Sequence, residues 1–377
     1  MMNMAKALLA SGHEVHQFAL NPSRNYSDVS LMPEDLKKSL HFQSASINTD
    51  LRISGALRTL FSGQSYNISR FYNKAIEQKL VDYLQKNTFD IIQFETIFCT
   101  PYLDAIRKNS KAKIVLRAHN VEHIIWERLA KAENKAGKKW YLNLLASRLK
   151  KYELNLLSKI DAILAITPVD EEFFLQHGYK GKTASSPLGL DLSDYRFQPF
   201  DERKLSLFHL GAMDWMPNVE GVEWFLHTCW PLVGEVFPEL RLFLAGRNFP
   251  QHLKEAHYPN VICDGQVERA SDYMNDKQLM VVPLRSGSGM RVKIIEGLAL
   301  GKTIISTTIG AEGIAVEDGK NILLADTPEQ FEIAIALCLH HPEKAKSIGI
   351  EGRKLAEEKY SVAAIGNQIT KFYNELF

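Results

Sequence analysis

Residues 283–297 have the sequence PLRSGSGMRVKIIEG, which contains the end of one structural element and the start of another. The apolar run at residues 279–284 predicts a buried strand. Two glycines and two serines then form a tight loop, and a helix is predicted to begin near Met290. A glycine-rich loop that leads into a helix presents backbone N–H groups and the positive end of the helix dipole to an anion. The stretch therefore predicts an α/β domain with an anion site.

Charged side chains in the same stretch suit a nucleotide. Arginine and lysine side chains add the positive charge that a diphosphate requires. Glu296 lies about two turns into the predicted helix, and its carboxylate only accepts hydrogen bonds, so the two hydroxyl donors of a ribose suit it. Diphosphate and ribose together indicate a nucleotide. The predicted donor-binding residues of the stretch are Arg285, Gly287, Ser288, Gly289, Arg291, Lys293 and Glu296.

The block at residues 283–313 resembles the donor-binding segment of retaining glycosyltransferases of the family 4 type, which have the two-domain GT-B fold. The resemblance rests on EGLALGK at 296–302 and TTIGAEG at 307–313. The family usually carries two glutamates separated by seven residues, and Glu296 matches the second, which the resemblance assigns to the ribose. Ser288 stands at the first position, so the resemblance leaves open how the sugar hydroxyls are held.

Apolar runs alternate with amphipathic helical stretches along almost the whole chain. Several runs are rich in β-branched residues and do not alternate with polar ones, which is typical of parallel strands buried on both faces. The pattern predicts doubly wound α/β domains with parallel sheets, and the resemblance implies two such Rossmann-like domains that face a cleft, the GT-B fold. The predicted strands are 14–20, 89–94, 113–116, 161–166, 206–210, 240–245, 261–263, 279–283 and 303–306.

The sequence becomes polar and proline-containing near residue 200, which predicts a domain boundary there. Residues 1–200 are predicted to form an N-terminal, acceptor-side Rossmann-like domain, and residues 201–359 a C-terminal domain that binds the nucleotide sugar. Residues 360–377 predict a helix that either crosses back to the first domain, as in GT-B proteins, or caps the second. A helix is predicted at 2–11, so the first strand and the Gly-rich loop of a GT-B domain are expected to be missing.

Two polar residues follow predicted strands of the first domain, where ligands of doubly wound sheets bind. The resemblance places His119, in RAHNVE at 117–122, beside the transferred sugar; a capping or buried histidine is the alternative. Glu95 ends its own strand and is predicted to lie near the acceptor, with an ordinary exposed carboxylate as the alternative. His119 and Glu95 are the predicted catalytic residues.

Loops of the second domain supply further donor-binding candidates. Gly211 follows a strand and permits close backbone approach. The resemblance implies an arginine and a lysine in this loop; both are absent, so the diphosphate is expected to depend on Arg247 and the basic residues of 285–293. Arg247 follows a strand end, and an ordinary surface arginine is the alternative. The resemblance also places Val267 beside the nucleotide base through backbone contacts.

The composition limits the protein class and the compartment. At 377 residues with a formal net charge of +1, the chain can bury two globular cores. Its four cysteines lack metal-ligand spacing, which predicts a reducing compartment and no metal site. No apolar run is long enough to span a bilayer and no signal peptide is recognisable, which predicts a cytoplasmic protein. No nucleic-acid module and no Gly-x-Gly-x-x-Gly turn after a first strand is present, so neither a nucleic-acid partner nor a dehydrogenase is expected.

Residues 135–159 are basic and amphipathic, in a first half of the chain that carries a net charge of +7 over residues 1–200 against −6 over the remainder. Two interpretations are open. The segment can lie on anionic lipid, which would make the protein peripheral at the inner face of the membrane, with a lipid-linked acceptor. It can equally be a solvated face over a buried leucine stripe.

These observations predict a hexosyl- or related glycosyltransferase that moves a sugar from a nucleoside diphosphate sugar to a hydroxyl of a saccharide or lipid-linked acceptor. The resemblance implies retention at the anomeric carbon and a role in cell-surface polysaccharide or glycolipid synthesis. No metal and no cofactor besides the donor substrate is expected, because the sequence contains no Asp-x-Asp pair. A nucleotide-sugar epimerase of the same fold and a catalytically silent nucleotide-sugar-binding protein are the alternatives.

Overall fold

The computed structural model describes residues 2–23, 26–50, 63–201, 206–287 and 289–377, so the predicted site residue Ser288 lies outside the described residues. The chain divides into two compact units, Met1–Pro187 with Gly366–Phe377, and Leu188–Ile365. These divisions differ from the boundaries predicted at residues 200 and 360. The backbone explains the first difference, because Leu190 N–H donates to the Tyr360 carbonyl at 2.7 Å and so joins the chain after Pro187 to the second unit.

The strands of the first unit form two parallel sheets. The smaller sheet pairs β1 (Phe18–Pro22) with β2 (Gln43–Ile47). The larger has the order β3-β4-β5-β6. Its members are β3 (Ile91–Phe94), β4 (Lys113–Ala118), β5 (Ala162–Ala165) and β6 (Lys182–Ser185). The sequence does not predict β2 and β6, because both strands are short and rich in polar residues that do not mark a buried strand. No strand pair joins the two sheets within the described residues.

Helices cover the sheets of the first unit and bury one hydrophobic core, which includes Ile114, Leu116 and Leu149. The helix predicted at the start of the chain ends at Ala10, and Gly12 follows with φ of 85°, a left-handed conformation that glycine adopts without strain. The helices are α1 (Met2–Ala10), α2 (Glu34–Ser39), α3 (Tyr66–Ser69), α4 (Lys74–Leu84), α5 (Leu103–Asn109), α6 (Glu122–Ala132), α7 (Ala136–Leu156) and α8 (Pro168–Gln176).

The second unit contains a single parallel sheet with the order β12-β11-β10-β7-β8-β9. Its side chains alternate between two cores: Leu207 and Val281 enter one, whereas Phe208 and Met280 enter the other. Because both faces are buried, the inner strands β8 and β10 are apolar throughout, as the sequence predicts. The strands are β7 (Leu207–Leu210), β8 (Leu242–Ala245), β9 (Val261–Gly265), β10 (Leu279–Val282), β11 (Thr303–Ser306) and β12 (Leu323–Leu324).

The helices of the second unit pack on both faces of this sheet. They are α9 (Met216–Trp224), α10 (Trp230–Val236), α11 (Gln251–Glu255), α12 (Ala270–Asn275), α13 (Val292–Ala299), α14 (Pro328–His340), α15 (Pro342–Leu355) and α16 (Val362–Asn374). The last helix contributes residues to both units, because the division falls at Ile365. No helix of the described chain is both long and apolar enough to cross a membrane.

Candidate functional site

The strand order of the second unit reverses at β7, which has the later strand β10 on one side and β8 on the other. Ligands of open α/β sheets bind beyond the carboxyl ends of the strands at such a switch point. Gly211 follows β7, and its N–H donates to the Ala245 carbonyl at 3.0 Å. Gly246 lies against it, since a Cβ on Gly246 would be 1.7 Å from the Gly211 oxygen. The two loops therefore pack main chain against main chain, as the close approach predicted at Gly211 requires.

The loop between β10 and α13 lies at the same switch point. Gly287 and Gly289 have φ of 110° and 84°, which favours glycine at both positions. Helix α13 begins at Val292 with Arg291 as its N-cap, two residues later than predicted, and no side chain caps its first N–H groups. Arg291 donates to the Gly289 carbonyl, and its guanidinium lies 5.2 Å from the centre of the Trp215 ring. The loop thus presents a buried arginine and an uncapped helix start.

Lys293 lies in a polar cluster made by three elements. Its Nζ is 2.8 Å from Asn218 Oδ1 and 3.3 Å from His209 Nε2. Burial and then the charge of Arg291 lower the pKa of Lys293 to about 7. Sequence reasoning finds Lys293 but misses His209, although a histidine inside the apolar strand LFHL is a pattern that would have revealed it. Asn218 lies in the first turn of α9, whose N-cap position is Trp215.

Glu296 is half-buried one turn further along α13. The Tyr195 hydroxyl donates to its Oε1 at 2.8 Å, which leaves Oε2 as the second acceptor. Burial raises the pKa of Glu296, and the Tyr195 hydrogen bond opposes that shift. Arg353 Nη1 holds the Tyr195 carbonyl at 2.9 Å, so the tyrosine is fixed from its main chain. Tyr195 was beyond sequence reasoning because it lies 101 residues from Glu296.

The remaining donor-binding candidates have partners outside the Lys293 cluster. Arg247 Nη2 lies 2.9 Å from Asp214 Oδ2, in an exposed pair. Arg285 is exposed, and its guanidinium lies 5.3 Å from the centre of the Trp224 ring. Val267 is half-buried against the same core as Trp215. Of the four basic candidates, the structure therefore brings Arg291 and Lys293 together at the start of α13.

In the first unit, Glu95 and His119 follow the neighbouring strands β3 and β4. His119 Nε2 and Glu95 Oε2 are 3.5 Å apart, so the structure brings the two predicted catalytic residues into one pair. Burial opposes the ionisation of Glu95, but the contact with His119 and the charge of Arg117 outweigh it and lower the pKa of Glu95. The pair is partly exposed and can contact a ligand at this edge of the sheet.

A hydrogen-bond chain extends from Glu95 to the last helix. Gln93 Nε2 donates to Glu95 Oε1 at 2.6 Å, and the Tyr373 hydroxyl donates to Gln93 Oε1 at 2.6 Å. With both amide groups of Gln93 engaged, its orientation is fixed, and so is the Glu95 oxygen that it holds. Helix α16 therefore helps to position Glu95, a role that sequence reasoning does not reveal.

A buried carboxylate supports the loop that carries His119. Glu153, on α7, is 2% exposed and lies 2.6 Å from Nδ1 of His123. Its oxygens also accept the backbone N–H groups of Glu122 and His123, at 3.1 and 3.2 Å, so it caps the start of α6. Burial and then the Glu153 charge raise the pKa of Glu122 to about 7.

Within the described residues, one cluster has the donor set of a metal site. Glu14, His16 and His41 bring their ligand atoms within 4.8 Å of one another. The two imidazole rings, however, stack with planes 11° apart and centres 4.1 Å apart. An ion bound by an imidazole lies in the plane of that ring, so one ion cannot lie in both stacked planes. The cluster does not form a metal site as the rings are placed.

Solved structures of other proteins have the same fold. Sucrose-phosphate synthase of Thermosynechococcus elongatus matches with a TM-score of 0.69 at 18% identity, over 99% of this chain and 92% of that one. Anabaena HepE matches with a TM-score of 0.64 at 16% identity, over 99% of this chain and 96% of that one. The chain has the GT-B fold with mixed α/β units and parallel sheets, which confirms the fold prediction.

Family profiles match both parts of the chain. The profile described as Glycosyltransferase Family 4 matches residues 1–194, and the one described as Glycosyl transferases group 1 matches residues 204–341. The chain belongs to the group 1, family 4 glycosyltransferases, which confirms the predicted family, while retention at the anomeric carbon stays a prediction.

Two relatives extend the comparison. A 44.6 kDa protein in the cps region of Klebsiella pneumoniae is 24% identical over 297 residues, which cover 74% of either chain. An uncharacterized glycosyltransferase of Methanocaldococcus jannaschii is 31% identical over 111 residues, 29% of this chain and 31% of that one.

Proposed function

We propose that the protein transfers a sugar from a nucleoside diphosphate sugar to an acceptor hydroxyl, with retention at the anomeric carbon. The observation that carries the proposal is the arrangement along α13. Arg291 and Lys293 stand at its start, and Glu296 lies three residues after Lys293 on the same helix face. A diphosphate at the cations and the uncapped N–H groups would place the ribose at Glu296.

Catalysis is then largely electrostatic. As the bond to the sugar breaks, negative charge develops on the diphosphate, and Arg291, Lys293 and the helix start stabilise it. The departing diphosphate takes the acceptor proton on the same face, so no side-chain nucleophile and no metal is assigned. In the first unit, His119 binds the transferred sugar, and the Glu95 carboxylate at 3.5 Å orients its ring.

Known relatives support the choice of substrates. Solved structures of Anabaena HepE contain UDP, UDP with glucose, and UDP-glucose. A Staphylococcus aureus TarM variant was solved with UDP and α-GlcNAc-glycerol. These ligands support a nucleoside diphosphate sugar as the donor. The cps-region relative supports a role in polysaccharide or glycolipid synthesis.

The proposal includes a lipid-linked acceptor at the inner face of the membrane. The first two turns of helix α7 carry Lys138, Lys139 and Trp140, all exposed, and 62% of the Trp140 surface is accessible. Basic residues beside an exposed tryptophan are the combination that anionic lipid surfaces bind. The opposite side of α7 carries the buried Leu145 and Leu149. The helix therefore also fits the alternative interpretation, a solvated basic face over a buried leucine stripe.

A two-stage experiment tests the proposed function. Thermal unfolding is first measured with UDP, GDP, ADP and their common sugar conjugates, because a ligand of the folded state raises stability by RT ln(1 + [L]/Kd). Turnover of the selected conjugate is then measured in EDTA with and without saccharide and lipid-linked acceptors, and the product anomer is read by NMR. Transfer that requires the acceptor and retains configuration supports the proposal. Donor turnover without any acceptor, or binding without turnover, contradicts it.

Glu296→Gln should weaken nucleotide binding by about 1.5–3 kcal/mol, roughly 10- to 150-fold, because the variant loses a charged acceptor for the ribose. Calorimetric titration with the selected nucleoside diphosphate measures the change. The exposed Glu312→Gln removes the same charge elsewhere in the unit and should leave the Kd unchanged. The 2′- and 3′-deoxy nucleotides sharpen the test, since at least one of them should bind Glu296→Gln and the wild type equally well. If Glu296→Gln weakens the binding of both deoxy nucleotides as much as that of the parent nucleotide, Glu296 does not hold the ribose.

His119→Ala should lower kcat/KM for transfer about tenfold or more, the value of one lost hydrogen bond to the sugar, without changing the Kd of the nucleoside diphosphate. Only kcat/KM is expected to change, because the nucleoside diphosphate alone has no transferred sugar for His119 to contact. Steady-state kinetics and calorimetry measure the two quantities, with the exposed His177→Ala as the matched control. Equal kinetics for both variants would remove His119 from the sugar site.

A further inference from the structure

Lys293 is held by two neutral groups. Its Nζ donates to Asn218 Oδ1 at 2.8 Å and to His209 Nε2 at 3.3 Å. Gly211 closes a third side, since a Cβ there would lie 2.7 Å from Nζ. The amine is therefore enclosed by strand β7, the loop after it and helix α9, in addition to its own helix.

The two neutral partners are fixed as hydrogen-bond acceptors. His209 is 1% exposed, and its Nδ1 lies 2.9 Å from the Val281 carbonyl. A carbonyl only accepts, so Nδ1 carries the hydrogen and Nε2 presents a lone pair to Lys293. Burial and then the Lys293 charge hold the pKa of His209 well below its usual range, so the ring stays neutral. Asn218 Nδ2 donates to the Ala212 carbonyl at 2.7 Å, which turns Oδ1 toward Lys293.

The carboxylates on the elements around Lys293 have partners other than Lys293. Glu220, on α9, accepts from Ser286 at 2.9 Å. Asp214, in the loop after β7, pairs with Arg247, and Glu296, on α13 itself, accepts from Tyr195. No ion pair of the described residues includes Lys293, and the charge that bears on it is the like charge of Arg291. The half-buried amine thus lacks the counter-charge that a buried ammonium ordinarily has.

We propose that His209 and Asn218 position Lys293 so that the donor diphosphate becomes its missing counter-charge, and that the amine takes up a proton from solvent as the nucleotide binds. The inference rests on the proposed function and adds that a proton is taken up when the nucleotide binds. His209 and Asn218 act through Lys293 and are positioning residues. The free amine is largely neutral at pH 8, since its pKa is lowered to about 7, and the phosphate oxygens favour the ammonium form.

Isothermal titration of the wild-type protein tests the inference. The nucleoside diphosphate selected by the thermal panel is titrated at pH 8 in buffers of different ionisation enthalpy, and the slope of the observed enthalpy gives the protons taken up. We expect an uptake of about 0.5–1 proton per nucleotide at pH 8. At pH 6 we expect no uptake, because Lys293 is already charged and the terminal phosphate, whose second pKa is about 6, can only release a proton on binding. The nucleotide itself is fully ionised at pH 8, since the second pKa of a phosphate is about 6.

Lys293→Arg is the matched variant, because arginine keeps the charge and cannot lose its proton at these pH values. It should bind the nucleotide with no proton uptake at pH 8. Binding by the wild type without uptake, or the same uptake in Lys293→Arg, would overturn the inference and leave the proposed function intact. Absence of binding by every nucleoside diphosphate would instead overturn the proposed function, and the inference with it.

Discussion

Raising the pH from 7 to 9 without nucleotide should stabilise the wild-type protein by about 2 kcal/mol more than it stabilises Lys293→Met. The sign follows from the lowered pKa of Lys293, which is about 7 in the folded protein. Between that pKa and the usual lysine value, the unfolded chain binds the extra proton and the folded protein does not. Stability contributed by this group therefore increases as the pH rises. Methionine fills similar space without titrating, so the variant lacks this gain.

Urea unfolding of the full chain at several pH values measures the difference. Other groups, such as the buried thiols of Cys229 and Cys338, also titrate differently in the two states, but they are common to both proteins and cancel in the comparison. The exposed Lys346→Met serves as the control, and its pH profile should overlay that of the wild type. Parallel profiles for the wild type and Lys293→Met would show that the amine is not held in a site that disfavours its charge.

Glu153→Ala should destabilise the first unit by about 3–5 kcal/mol, because removing one member of a buried pair leaves the other without its partner. Glu153 is 2% exposed and accepts from His123 and from two backbone N–H groups at the start of α6. Helix α6 follows directly on the loop that carries His119. We therefore also expect transfer activity to fall while the folded fraction is still high. Urea unfolding and activity at low denaturant measure the two effects.

Glu127→Ala is the matched control for Glu153→Ala. Glu127 lies on the exposed side of α6, 3.9 Å from the Lys150 ammonium, in a pair open to solvent. Such pairs contribute about 0–1 kcal/mol, so the control should lose little stability. If both variants unfold at the same urea concentration, the Glu153–His123 pair does not hold α6 in place. The double variant Glu153→Leu with His123→Phe should recover part of the loss, since it leaves no buried polar group of the pair.

Sequence reasoning finds the strand, the glycine loop and helix α13 because the three elements are contiguous in the chain. Residues 279–296 contain a buried strand, two glycines with positive φ and the residues Arg291, Lys293 and Glu296 in one run of chain. Sequence reasoning does not find the residues that contact Lys293 and Glu296. His209 is 84 residues from Lys293, and Tyr195 is 101 residues from Glu296, so no local periodicity relates them.

In the first unit, too, sequence reasoning finds the candidate residues but not the groups that hold them. The positions of Glu95 and His119 at strand ends follow from the hydrophobic pattern alone, and parallel pairing of β3 with β4 then makes them neighbours. The residues that fix Glu95 could not be found this way, since the Tyr373 hydroxyl that holds Gln93 comes from 280 residues away. Strands β2 and β6 were missed because burial of polar, short strands is set by the sheet they join.

The sequence by itself determined the strand–helix alternation, the glycine loop before α13 and its cations, because backbone geometry and hydrophobic burial depend on neighbouring residues. Its family motif also determined the class, a glycosyltransferase of the GT-B fold. Only the tertiary structure decided which groups surround each charge. Burial, to which the enclosing His209 and Asn218 contribute, and then the charge of Arg291 lower the pKa of Lys293, and the contacts with His119 and Arg117 lower the pKa of Glu95 against the effect of burial. Desolvation and short-range electrostatics act between atoms that are close in space, whatever their separation along the chain.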